Sequence, residues 1–97
     1  MTEQKEQRME FYMTAGINND MNAEPEFETR ILTLMNRFVH DDWGDLCEDD
    51  KELNRQAQKQ GGRILAAYET DHGKVYIITD DTKAAVKVTT VLYASEY

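Results

Sequence analysis

At Gly61-Gly62 the apolar residues change period: before the pair they recur every three or four positions, after it every second position. That switch separates a helical half from a strand half and points to an α+β domain, helices first and strands after. Upstream, Phe27, Ile31, Leu34, Met35, Phe38 and Val39 form the stripe of an amphipathic helix. Asn22 is placed to cap it. Glu24, Pro25 and Glu26 follow in its first turn, where proline's missing N–H costs nothing and acids meet the positive helix end. His40 to Gly44 break this helix. A second helix is expected to start near residues 45–48 and run to Gln60, with Glu48, Asp49 and Asp50 at its start and Lys59 at its end. Its apolar face is thin (Leu46, Leu53, Ala57), so it should lie outside the core.

Downstream of the glycines, residues 63–70, 74–79 and 85–93 read as three strands. Asp71-His72-Gly73 suits a three-residue hairpin loop with glycine at the left-handed position, and residues 80–83 make the next turn. The expected architecture is therefore two helices followed by a three-stranded antiparallel β-meander. One sheet face would carry Ile64, Ala66, Tyr68, Val75, Ile77, Val86, Val88 and Leu92 under a helix, and the other Leu65, Tyr76, Ile78 and Tyr93. Residues 1–13 read as a polar N-terminal leader, flexible or a frayed helix, in which only the last turn has anything to bury. Residues 14–20 read as a turn-rich connector. Residues 14–97 make up a single α+β domain.

Ninety-seven residues support one core, and a deep enclosed pocket would compete with it. Nineteen acids against eleven Lys and Arg give a net charge of -8, which argues against a direct grip on nucleic acid or an anionic membrane. The single cysteine, Cys47, rules out an intramolecular disulfide, and two histidines with one thiol are too few for the usual structural zinc sites. A cytoplasmic location is expected, since residues 1–13 lack the apolar run of a signal peptide and no apolar stretch reaches the roughly 20 residues of a membrane span. Neither a cofactor nor a metal is expected.

The strongest compositional feature is acidic. Asp41, Asp42, Asp45, Glu48, Asp49, Asp50 and Glu52 place seven acids in twelve residues against the single Lys51. Such a run is explained as a solvated helix start, as a surface that imitates nucleic-acid charge or engages a basic protein, or as a metal site; the spacing does not match a calcium-binding loop. Trp43 lies within the run and either anchors the interhelical loop on the core or stands exposed as a contact residue for a partner. His40 suits the end of a helix beside carboxylates, His72 a turn, and Cys47 an inert, partly buried thiol whose acidic surroundings disfavour the thiolate. Gly61-Gly62 ends a helix and precedes a strand, the reverse of a phosphate-binding loop. Arg55, Lys59, Arg63, Lys74, Lys83 and Lys87 with Tyr68 and Tyr76 could form an RNA-stacking platform, although surface solubility explains them more simply.

Several stretches resemble a family of small bacterial proteins carried on plasmids, phages and other mobile elements, often labelled plasmid-related proteins. They are Thr14-Ala15-Gly16-Ile17-Asn18, Asp42-Trp43-Gly44-Asp45-Leu46, Asp50-Lys51 with Asn54, Gly62-Arg63-Ile64-Leu65-Ala66-Ala67-Tyr68, Gly73-Lys74-Val75-Tyr76-Ile77-Ile78-Thr79, Thr89-Thr90-Val91-Leu92 and Glu96-Tyr97. The likeness spans most of residues 14–97 and departs at residues 81–88. It implies a genomic setting and no mechanism.

Acidity in a small chain without catalytic residues suggests an accessory factor that binds a host nucleic-acid-binding protein, such as a CRISPR effector or restriction enzyme, through Asp41, Asp42, Trp43, Asp45, Glu48, Asp49, Asp50 and Glu52. The alternatives are a small ribosome-dependent RNase or toxin-like protein, and a regulatory homodimer built on an exposed sheet edge and Tyr-rich face.

Overall fold

The computed structural model describes residues 8–97. Strand β1 (Arg8–Met13) leads into helix α1 (Ala15–Ala23), helix α2 (Pro25–Val39) and helix α3 (Glu48–Gln60). Strands β2 (Ile64–Thr70), β3 (Gly73–Thr79) and β4 (Val86–Tyr93) follow, with a closing 3-10 turn at Ala94–Glu96. The architecture is α+β. Among the described residues there are three helices and a four-stranded mixed sheet of order β1-β4-β3-β2, in place of the expected two helices and three-stranded antiparallel meander. β2, β3 and β4 form the antiparallel part, and β1 adds to β4 in parallel, Arg8 opposite Val86 through Met13 opposite Val91.

Two corrections concern the N-terminal region. Part of the expected leader is a strand: Met9, Phe11 and Met13 turn toward the helices and pack on the core, while the leader's residues 1–7 lie outside the described residues. The expected connector is helix α1. Thr14 caps it by accepting the Ile17 N–H, Ile17 is fully buried, and Met21 packs beside it. Asn22 thus belongs to α1, and Glu24 precedes α2 with Pro25 at its start.

α2 buries Phe27, Ile31, Leu34 and Phe38, the expected stripe, while Val39 at its end is exposed. The face it covers carries Ile64, Ala66, Tyr68, Val75, Ile77 and Val91. In β4 the expected face is reversed. Register sets Val91 opposite Ile77, Thr89 opposite Thr79 and Tyr93 opposite Val75, so Val86, Val88 and Leu92 lie on the other side of the sheet. Thr79 and Thr89 are both buried because their hydroxyls, 2.8 Å apart, satisfy each other.

α3 has the expected bounds but docks differently. Leu53 is exposed, and the buried contacts are Ala57 and Asn54. The Asn54 amide donates to the Leu65 carbonyl (2.9 Å) and accepts the Leu65 N–H (3.2 Å), as a neighbouring strand would. Two residues along β2, the Ala67 N–H donates to the Trp43 carbonyl (3.1 Å) and its carbonyl accepts the Asp45 N–H (2.8 Å). Gly44, bridged to Ala67, makes that approach possible. Its φ is +77°, and a Cβ there would sit 2.1 Å from the Ala67 carbonyl oxygen and 2.6 Å from the Tyr68 ring.

Replacing Gly44 with alanine must either strain φ or lift the loop off β2. Gly44→Ala should destabilise the fold by about 3 kcal/mol, read as a lower midpoint in urea unfolding at unchanged slope.

Candidate protein-binding surface

The acidic run lies along the β2 edge of the sheet and over the start of α3, and the structure divides it by task. Asp41 has a positive φ of 64° and accepts from the Gln58 amide at 2.9 Å. Asp42 takes two bonds from the Arg37 guanidinium, at 2.8 and 3.2 Å, and one from the Gly44 N–H. The Arg37 bond is the main cause that holds its carboxyl below the usual range, with the Gly44 N–H acting in the same direction. Asp45 accepts the Glu69 N–H, extending the cover of β2 beyond Ala67. Each of these three carboxylates fastens part of the loop or a neighbouring element.

The helical acids differ. Glu48 and Glu52 reach Arg55 at 3.4 and 2.9 Å, exposed pairs of small energetic weight. Asp49 and Asp50 stand exposed on the first turn of α3, without a cation partner among the described residues. The run is thus one surface with an anchored half and a solvent-facing half.

Trp43 takes the first of its two expected roles. It is 5% exposed within the core and offers a partner almost no area; it fixes the loop from below. Tyr68 supports the same loop, its hydroxyl donating to the Asp42 carbonyl at 2.7 Å while Arg37 lies 5.0 Å from its ring centre. The two tyrosines of the alternative RNA-stacking reading lie apart: Tyr68 faces the core, whereas Tyr76 on the other sheet face meets Tyr97, on which Arg63 lies. Cys47 is exposed rather than partly buried. The His40 ring sits against the Asn36 carbonyl at the end of α2.

His72 is the residue whose setting the sequence did not reveal. It is half-buried at the β2–β3 turn, its ring tilted against that of Phe27 with the centroids 4.2 Å apart, with Nδ1 3.5 Å from Asp20 and Nε2 3.2 Å from Glu24. The Tyr93 hydroxyl donates to the same Asp20 carboxylate. This cluster joins α1, α2, the hairpin and β4. No group of three His, Cys, Asp or Glu among the described residues could hold a metal ion. A cleft of about 280 Å³ at the opposite end of the sheet has an apolar floor of Met9, Phe38, Trp43 and Ile64, with Lys83 and Lys87 in its walls. No helix among the described residues is long and apolar enough to cross a membrane. Comparison of the chain with family models, curated proteins and solved structures gave no match.

Burial, and for Tyr93 also the Asp20 carboxylate, push the Tyr68 and Tyr93 phenols well above the tyrosine value of about 10. A phenol whose folded pKa is raised contributes stability below its unfolded pKa and loses that contribution as pH rises through the folded value. In an ultraviolet phenolate titration, these two tyrosines should therefore ionise only as the fold opens. Tyr68→Phe should cost about 1 kcal/mol and remove one late-ionising group.

Proposed function

We propose that this protein works by binding a basic, nucleic-acid-handling protein through the surface formed by the loop at Asp41–Asp45 and the first turns of α3. The observation that carries this reading is the division of the acids. Asp42 and Asp45 are tied to Arg37 and to the backbone, so the loop is held in place, while Asp49 and Asp50 project from the adjoining helix with no ion-pair partner among the described residues. A fixed field of one sign steers and orients a partner of opposite sign, as a nucleic acid would at that partner's own binding surface. Resemblance to proteins of mobile elements suits a target among host defence nucleases, such as a CRISPR effector or restriction enzyme. Trp43 acts from below the surface rather than as a contact.

The test is affinity capture from cells with active CRISPR and restriction systems, at moderate and high salt, followed by titration of the captured protein. A salt-sensitive nucleic-acid-processing protein is expected. Glu48→Gln, Asp49→Asn and Asp50→Asn together should weaken its binding about tenfold and make the salt dependence shallower, with the circular dichroism unchanged. Equal affinity and equal salt slope for this variant would remove the acidic surface from the interaction.

A further inference from the structure

The two edges of the sheet are treated differently. On β2, successive outward-facing positions are occupied: Leu65 by the Asn54 amide, Ala67 by the backbone of Trp43 and Asp45, and the Glu69 N–H by the Asp45 carboxylate. On β1 no such cover exists among the described residues. The Arg8 and Thr14 N–H groups point to Ala85 and Val91 on the β4 side. By strand alternation, the N–H and C=O groups of Met9, Phe11 and Met13 point away from the sheet. β1 also lacks the usual protections of an edge: it has no proline and no lysine, and its two charges, Arg8 and Glu10, pair with each other at 3.1 Å.

The β1 sequence complements itself. Met9-Glu10-Phe11-Tyr12-Met13 reads as Met, polar, Phe, polar, Met in both directions about Phe11. We propose that β1 is the docking edge for a second copy of this chain, the two β1 strands running antiparallel about a twofold axis at Phe11. In this register Phe11 meets the partner's Phe11 and Met9 the partner's Met13. All three outward-facing residues of each strand then exchange N–H and C=O bonds, about six in total. Glu10 faces the partner's Tyr12 in the close, non-hydrogen-bonded pairs. Tyr12 is 52% exposed and already donates to Glu10 of its own strand at 2.9 Å, so the chemistry of the cross-strand pair is present within each chain. Moving the axis one residue toward the N-terminus puts Glu10 opposite the partner's Glu10, which like-charge repulsion disfavours, and moving it one residue the other way sets Glu10 opposite the partner's Thr14, beyond the strand, and loses the Glu10–Tyr12 pairs. Val88, 37% exposed and opposite Glu10 on β4, adds apolar surface beside the axis.

Sedimentation equilibrium of the full chain across micromolar to millimolar concentrations tests the association, and it is independent of any acidic-surface partner. The mass should rise from 11.3 kDa toward twice that value. Tyr12→Glu sets a carboxylate against the partner's Glu10 at both ends and should weaken association about tenfold or more. Tyr12→Lys replaces each of those contacts by an opposite-charge pair and should keep the dimer. For register, with Cys47→Ser in every chain, a mixture of Glu10→Cys and Tyr12→Cys chains should form a disulfide between unlike chains under mild oxidation, and neither alone should do so comparably. A monomer at every concentration, or a dimer indifferent to Tyr12→Glu, would overturn the proposal. Equal crosslinking of Glu10→Cys chains with themselves would overturn the register.

Discussion

The contact between the 42–45 loop and β2 governs how the two halves of this protein meet. A strand edge presents N–H and C=O groups that must find partners, and here they find them in the loop that joins α2 to α3 and in the Asn54 amide of α3 itself. These bonds are worth about 1 kcal/mol each, yet leaving the same groups buried and unpaired would cost more, so the position of α3 is set by polar pairing rather than by apolar area. That is why Leu53 can point to water while Asn54 is buried. Gly44 is the steric condition for the contact, and Trp43 and Tyr68 fix the loop from the core side.

This polar docking also explains what could be read from the sequence. α2, the bounds of α3, β2 and β3 follow from periodicity and turn residues because their signals are local. β1 and α1 do not. The partner of β1 is the last strand of the chain, in parallel, so no hairpin turn announces the pairing. α1 is rich in asparagine, a poor helix former, and owes its order to the Thr14 cap, the burial of Ile17, and Glu96, which accepts from both the Thr14 hydroxyl and the Tyr93 N–H. The face of β4 misleads for a chemical reason: Thr89 looks like a solvent residue until Thr79 is brought opposite it.

The acidic run was visible as composition, but its internal division was not. Whether an aspartate braces a loop or faces a partner depends on what lies beyond it in space: Arg37 one element back for Asp42, and the Glu69 N–H on a strand, 24 residues ahead, for Asp45. His72 was hidden for the same reason. Its turn position is local information, but the two carboxylates and the Phe27 ring around it come from α1, the α1–α2 junction and α2.

The covered and open edges lie on opposite sides of one sheet, and this arrangement resolves an electrostatic difficulty. A chain of net charge -8 resists self-association, most strongly where its acids concentrate. Those acids line the β2 edge and α3, whereas the proposed twofold axis runs beside β1, three strands away. At about 4.8 Å per strand, pairing through β1 would leave the two β2 edges about 34 Å apart, several times the Debye length of about 8 Å at physiological salt. Repulsion between the acidic surfaces would then be largely screened. Each dimer would present both surfaces outward, so that a basic partner offering two sites would meet them together, and the second contact would form at the effective concentration set by a rigid eight-stranded sheet.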